Sequence, residues 1–177
     1  MEKINPAKII RDHVLTLKSY DTGKYSVGDF FVFILLPFGI AGYLAYCFPK
    51  SDKNTTEIFD KDVVDILVTS LSIFAALLFN LLLLVYDLVK KANPGEAYAV
   101  LKTRFLKEIF ANISYSIFVS MLAVIILLIS LLGTPSRMLQ IAVVFSVYFL
   151  ISNFILTLLM ILRRVHILFS KEFEKTP

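Results

Sequence analysis

The sequence predicts an all-α, polytopic membrane protein: four transmembrane helices in a bundle, flanked by cytoplasmic amphipathic helices. Composition is the first reason. Of 177 residues, 58% are hydrophobic, against about 45–50% in a typical soluble domain, and a chain this short cannot hide the excess from its surroundings. The second reason is where charge is missing. Residues 30–48, 66–86, 109–136 and 138–162 contain no Asp, Glu, Lys or Arg over 19, 21, 28 and 25 positions. About 20 apolar residues in a helix cross a hydrocarbon core of about 30 Å, whereas strands of a membrane barrel are shorter and alternate in polarity.

The elements follow in chain order. Segment 1–28 opens with Asn5-Pro6, a capping side chain before proline at the first helical position. Ile10, Val14 and Leu17 then recur at helical spacing, with Lys8, Arg11, Asp12 and Lys18 on other faces. This pattern predicts an amphipathic helix at the lipid headgroups. The transmembrane domain occupies 29–163, with spans at about 30–48, 64–88, 110–132 and 139–162. Span one starts too late and runs too long for an ordinary cleaved signal peptide, and Pro37, Gly39 and Gly42 predict a kink near its middle. Cys47, the single cysteine, excludes an internal disulfide and reads as a lipid-facing thiol.

The outer loop after span one is polar and slightly acidic. Asn93-Pro94-Gly95 breaks the chain after span two, within the cytoplasmic loop 89–109. There Tyr98, Leu101, Phe105 and Ile109 repeat at helical spacing among Lys102, Arg104 and Lys107, predicting a second interfacial helix that feeds span three. Gly133-Thr134-Pro135-Ser136 is a tight turn that makes spans three and four an antiparallel hairpin. The tail 164–177 carries apolar Val165, Leu168 and Phe169 before a charged end, which suits a third interfacial helix. Lys102, Arg104 and Lys107 are candidates for contact with lipid headgroups or a soluble partner.

Orientation follows from the basic residues. Fourteen of the eighteen Lys and Arg fall in 1–28, 89–109 and 163–177, against Lys50, Lys53, Lys61 and Arg137 in the other two loops. The richer side belongs inside, so both termini are expected in the cytoplasm. The net charge of +4 is then explained by topology and anionic lipid, without direct nucleic-acid binding.

Polar residues inside spans are informative because lipid offers them no hydrogen bonds. In span two, Thr69, Ser72, Ala76, Asn80 and Asp87 share one face. Asn112, Ser116, Ser120 and Ala123 do so in span three, and Ala142, Ser146, Asn153 and Thr157 in span four. Such rows suit close helix packing. Asn80, Ser116 and Asn153 are expected to form a polar layer, inside the bundle or between subunits, with a pore lining as the alternative. Asp87 is positioned to pair with Arg163 or Arg164. No mid-membrane charge, phosphate-binding glycine loop, catalytic set or metal-ligand spacing is present, so no catalytic residue, cofactor or metal is expected.

The basic N-terminal helix, the four spans, and Leu71-Ser72-Ile73-Phe74-Ala75-Ala76-Leu77-Leu78-Phe79-Asn80 in span two resemble small four-helix membrane proteins of bacterial antiphage systems. The membrane subunit of the Kiwa system and the membrane accessories of some RNA-targeting CRISPR systems are examples. The resemblance covers the layout of the whole chain and transfers no functional residue. It implies a homo-oligomer in the bacterial inner membrane, a sensor or membrane-perturbing subunit working with a cytoplasmic protein partner. A passive anchor or regulatory accessory subunit is the alternative, and a small transporter is a third.

Overall fold

A backbone surrounded by hydrocarbon must satisfy its own N–H and C=O groups, and a helix does so within one segment. The four charge-free runs accordingly form the four long apolar helices, each long enough to cross a membrane. The computed structural model describes residues 6–16, 31–50, 55–91, 97–132 and 136–173; the side chains of 91, 97–104, 168, 169 and 171–173 lie outside that description. Helix α1 is Pro6–Thr16, and the expected capping residue Asn5 lies outside the described residues. Span one is a π-helical turn, Phe31–Leu35, that continues into α2, Leu36–Cys47, and ends in a 3₁₀ turn, Phe48–Lys50. A short helix α3, Thr55–Ile58, precedes α4, Lys61–Lys91. Helices α5, Ala97–Leu131, and α6, Arg137–Phe173, complete the chain. Among the described residues there is no strand.

Two boundaries differ from the sequence reading. The expected interfacial helix before span three is continuous with it, so α5 runs as one rod of 35 residues. The expected tail helix is likewise an extension of α6, which is 37 residues long. In both places the apolar repeat stays in phase with the span, so nothing in the sequence forces a break. The irregularity of span one also lies earlier than predicted. The π-helical turn comes before Pro37, whereas Gly39 and Gly42 sit inside regular α2.

Packing runs in a row among the described residues. Helix α4 packs on α5, α5 on α6, and α6 on α2, while α1 lies against α5. Central α5 therefore buries two sides, with Leu106, Ile109, Ile113, Ala123 and Leu127 fully enclosed. Side chains add one reach across the row, Phe74 of α4 standing edge-on to Phe154 of α6 at 6.1 Å. At the end of the molecule opposite α1, Arg137 of α6 donates to the Phe48 carbonyl at 3.1 Å and lies over that ring at 4.3 Å. Asp60 caps α4 by accepting from the Val63 N–H at 2.8 Å, the usual service of a residue just before a helix.

Helix α4 is the least enclosed span: 11% of its apolar window is buried, against 39% in α5. Its packed row is Val64, Leu71, Leu78 and Val85, spaced by sevens as in a coiled-coil seam. At about 100° per residue, the row Thr69, Ser72, Ala76, Asn80 and Asp87 lies on the opposite side. All five of these residues are exposed.

Gly39 and Gly42 have open space where a Cβ would stand, with nothing within 4 Å. Both occupy helix interior, where glycine costs about 0.5–1 kcal/mol relative to alanine. Gly39→Ala and Gly42→Ala are therefore expected to raise the unfolding midpoint in detergent slightly. A clear loss of stability would mean that the glycines serve a close approach not visible in a single chain.

Candidate functional site

Where α1 meets α5 and α6, a polar cluster is enclosed by protein. His13 and Thr16 are the two buried residues of α1, while Ile10 of the expected apolar face is exposed and Leu17 lies outside the described residues. The docking face of α1 is thus polar, because what it meets is polar. On α5, fully buried Asn112 presents its Oδ1 to His13 Nδ1 at 2.9 Å and to Thr16 Oγ1 at 2.8 Å. Thr16 Oγ1 is also 2.7 Å from the His13 carbonyl oxygen, so its single proton serves one of two acceptors at a time. With an amide oxygen opposite it, Nδ1 of neutral His13 carries the proton and donates.

Helix α6 closes the cluster with Arg164. Its guanidinium donates to the Thr16 carbonyl at 2.7 Å and forms an ion pair with Glu108 of α5 at 3.1 Å. The expected pairing of Arg163 or Arg164 with Asp87 does not occur. Asp87 lies on the outward face of α4 and Arg163 is exposed, whereas Glu108 is on the helix that packs directly against α6. The His13 imidazole is 4% exposed. Burial pushes its pKa down from 6.5 to about 4; the Asn112 hydrogen bond opposes that shift, and the positive charge of Arg164 adds to it.

The cluster continues into the membrane region through Tyr115. Its ring stacks flat on His13, with centroids 3.8 Å apart and an interplanar angle of 3°. Its hydroxyl donates to Asn153 Oδ1 of α6 at 2.9 Å. Asn153 Nδ2 in turn donates to the Phe33 carbonyl of the π-helical turn at 3.1 Å. Pro37, four residues later, has no N–H with which to close an α-helical bond to that carbonyl, and the Asn153 amide donates to it from outside the helix. One row of contacts therefore joins α1, α5, α6 and span one.

The predicted layer of Asn80, Ser116 and Asn153 is only partly assembled within one chain. Asn153 is buried and bonded as described, but its partner on α5 is Tyr115, the neighbour of the expected Ser116. Ser116 is fully buried, and its Oγ finds no hydrogen-bond partner among the described residues; the same holds for Asn112 Nδ2 one turn before it. Asn80 is exposed on the outer face of α4, and no hydrogen bond joins it to another described side chain. It does not meet the other two because α4 turns its Leu and Val row, not its polar row, toward α5. Lys107 is exposed, and the side chains of Lys102 and Arg104 lie outside the described residues.

Sequence reasoning missed His13, Thr16, Glu108 and Tyr115. Thr16 stands one turn after His13, a weak hint of a polar docking face, but nothing in the sequence pairs that face with Asn112. Among the described residues no three His, Cys, Asp or Glu side chains converge. The cluster's chemistry is that of two sets of hydrogen bonds joined by the His13–Tyr115 stack, tying the position of α1 to three spans. No protein-family model, curated protein or solved structure matches this chain.

Replacing Asn153 by leucine strands the Phe33 carbonyl and the Tyr115 hydroxyl, at a cost of about 1–3 kcal/mol. Pro37→Ala returns a backbone N–H to the Phe33 carbonyl, so the penalty for Asn153→Leu should shrink in that background. A double-mutant cycle on unfolding in detergent measures this coupling. Equal penalties in both backgrounds would show that the amide does not serve that carbonyl.

Proposed function

We propose that this chain is a self-associating multi-pass protein of the bacterial inner membrane, a defence-type sensor or membrane-perturbing subunit that acts with a cytoplasmic partner. The observation that carries the reading is the outward row of α4. Asn80 stands near the middle of that span, opposite the packed seam and exposed. Hydrocarbon gives an amide no partner, whereas a second copy supplies one, since a carboxamide donates and accepts at once and pairs with its own kind. Thr69, Ser72 and Ala76 on the same face are small enough to let two backbones approach. Interhelix hydrogen bonds of this type contribute about 0.6 kcal/mol each, so they fix register while packing supplies most of the association energy.

The remaining features support the same picture. The basic bias of 1–28, 89–109 and 163–177 favours both termini in the cytosol, which puts α1 and its polar cluster on the side where a soluble partner acts. The resemblance to antiphage membrane subunits supplies the defence reading. Chains arranged with the α4 rows facing inward would line a polar path with Thr69, Ser72 and Asn80, which is how such an assembly would perturb a membrane. A passive anchor is the second reading. It is favoured by the exposure of Lys90, Lys107 and Arg163, which offers a basic collar to anionic lipid or an acidic protein surface.

Asn80→Leu separates these readings. Self-association predicts that the native mass in detergent, with the lipid and detergent contribution subtracted, falls toward the 20.1 kDa of one chain. It also predicts that dye entry caused by expressing the wild type disappears. An unchanged native mass would sink the proposal. The anchor predicts no leakage at any expression level, and loss of a co-purifying soluble protein on charge reversal at Lys102, Arg104 and Lys107.

A further inference from the structure

The cluster under α1 has a property that neither self-association nor anchoring uses. His13 is the one member of the α1 docking face whose charge can change near neutral pH. It is also the member most tightly enclosed, covered on one side by the Tyr115 ring and held at its edge by Asn112.

We propose that α1 is a proton-sensitive latch, held on α5 and α6 while His13 is neutral and released when the imidazole takes up a proton.

The surrounding groups decide the direction. From α5 come the Asn112 oxygen and the face of Tyr115, both of which tolerate a cation, and Glu108, whose carboxylate is already engaged by Arg164. From α6 comes Arg164 itself, bonded to the Thr16 carbonyl at the next turn of α1. On α1, Arg11 and Asp12 face each other at 3.9 Å and are mostly outside the cluster. A protonated His13 would thus be a second cation sealed beside Arg164, with no carboxylate left over for it among the described residues. Burial of a charge without its own partner is the costliest arrangement available to a side chain. The docked imidazole accordingly holds a proton only below about 4, against 6.5 for the free group.

The sign follows from linkage. The released helix binds the proton more tightly than the docked one, so docking is at full strength above the free value and weakens as pH falls from 6.5 toward 4. At pH 5.0 the docking constant should be lower on the order of 30-fold than at pH 7.5. Release also uncovers Asn112, Tyr115 and Arg164 together. Because Tyr115 holds Asn153, and Asn153 holds the Phe33 carbonyl, movement of α1 reaches the π-helical turn of span one.

The test uses the full chain in lipid nanodiscs with Cys47→Ser and paramagnetic labels at Ile10→Cys and Lys107→Cys, both exposed positions. The expected result is one short inter-label distance at pH 7.5 and a growing population of longer distances toward pH 5.0. His13→Gln, whose amide can donate but does not titrate, should stay docked throughout, and Glu108→Gln should still release. Asn112→Asp places a carboxylate against the imidazole and should keep the latch closed at pH 5.0. If His13→Gln does not fold, wild-type release together with retention by Asn112→Asp carries the test. A wild type that stays docked to pH 4.5 overturns the proposal. So does release of His13→Gln over the same range, release of Asn112→Asp as complete as the wild type's, or a requirement for Glu108 in place of His13.

Discussion

A carbonyl that a proline leaves without an α-helical donor can be bonded from outside its own helix, and in this protein that bond ties span one to α6. Pro37 removes the N–H that the Phe33 carbonyl would otherwise receive, and Asn153 of α6 supplies the replacement at 3.1 Å. The proline thereby sets the height at which span one meets α6. The other side of the same amide accepts from Tyr115, which sets the height of α5 against α6. Each bond is modest in net energy, but leaving its buried groups unpaired costs about 1–3 kcal/mol. The register is enforced mainly by what breaking it would expose.

Around that point the helices form a row and not a closed ring among the described residues. Helix α5 lies between α4 and α6, and α2 packs on the far side of α6. Buried Asn112, Ser116 and Ser120 with Ala123 make one face of α5 thin enough for close approach. Helix α4, at the end of the row, contributes an aliphatic seam to one neighbour and leaves its polar row outward. A helix with two opposed useful faces is poorly suited to end a structure. That mismatch is the physical reason for reading the single chain as one unit of something larger.

Helix α1 shows how a polar docking face differs from an apolar one. An aliphatic contact is insensitive to pH and weakly directional, whereas His13, Thr16, Asn112 and Arg164 hold α1 at one position by distances of 2.7 to 2.9 Å. The same low-dielectric surroundings that strengthen those bonds penalise any added charge. Precision of placement and sensitivity to protonation therefore come from one cause. The stack of His13 on Tyr115 then makes α1 a neighbour of the spans instead of a helix that rests on lipid alone.

By itself the sequence determined the four long apolar helices. It also identified Asn153 as a side chain needing a protein partner. These follow from local rules: a charge-free run of sufficient length must be helical in lipid, and a buried amide must be bonded. Tertiary structure alone decided that α4 turns its leucines inward and its Asn80 row outward, that Tyr115 and not Ser116 reaches Asn153, and that Arg164 chooses Glu108 over Asp87. It also decided that His13 is buried at all. Those outcomes depend on which helix becomes whose neighbour. Several amphipathic faces of similar polarity compete for the same contacts, and only the assembled packing of all the spans selects among them.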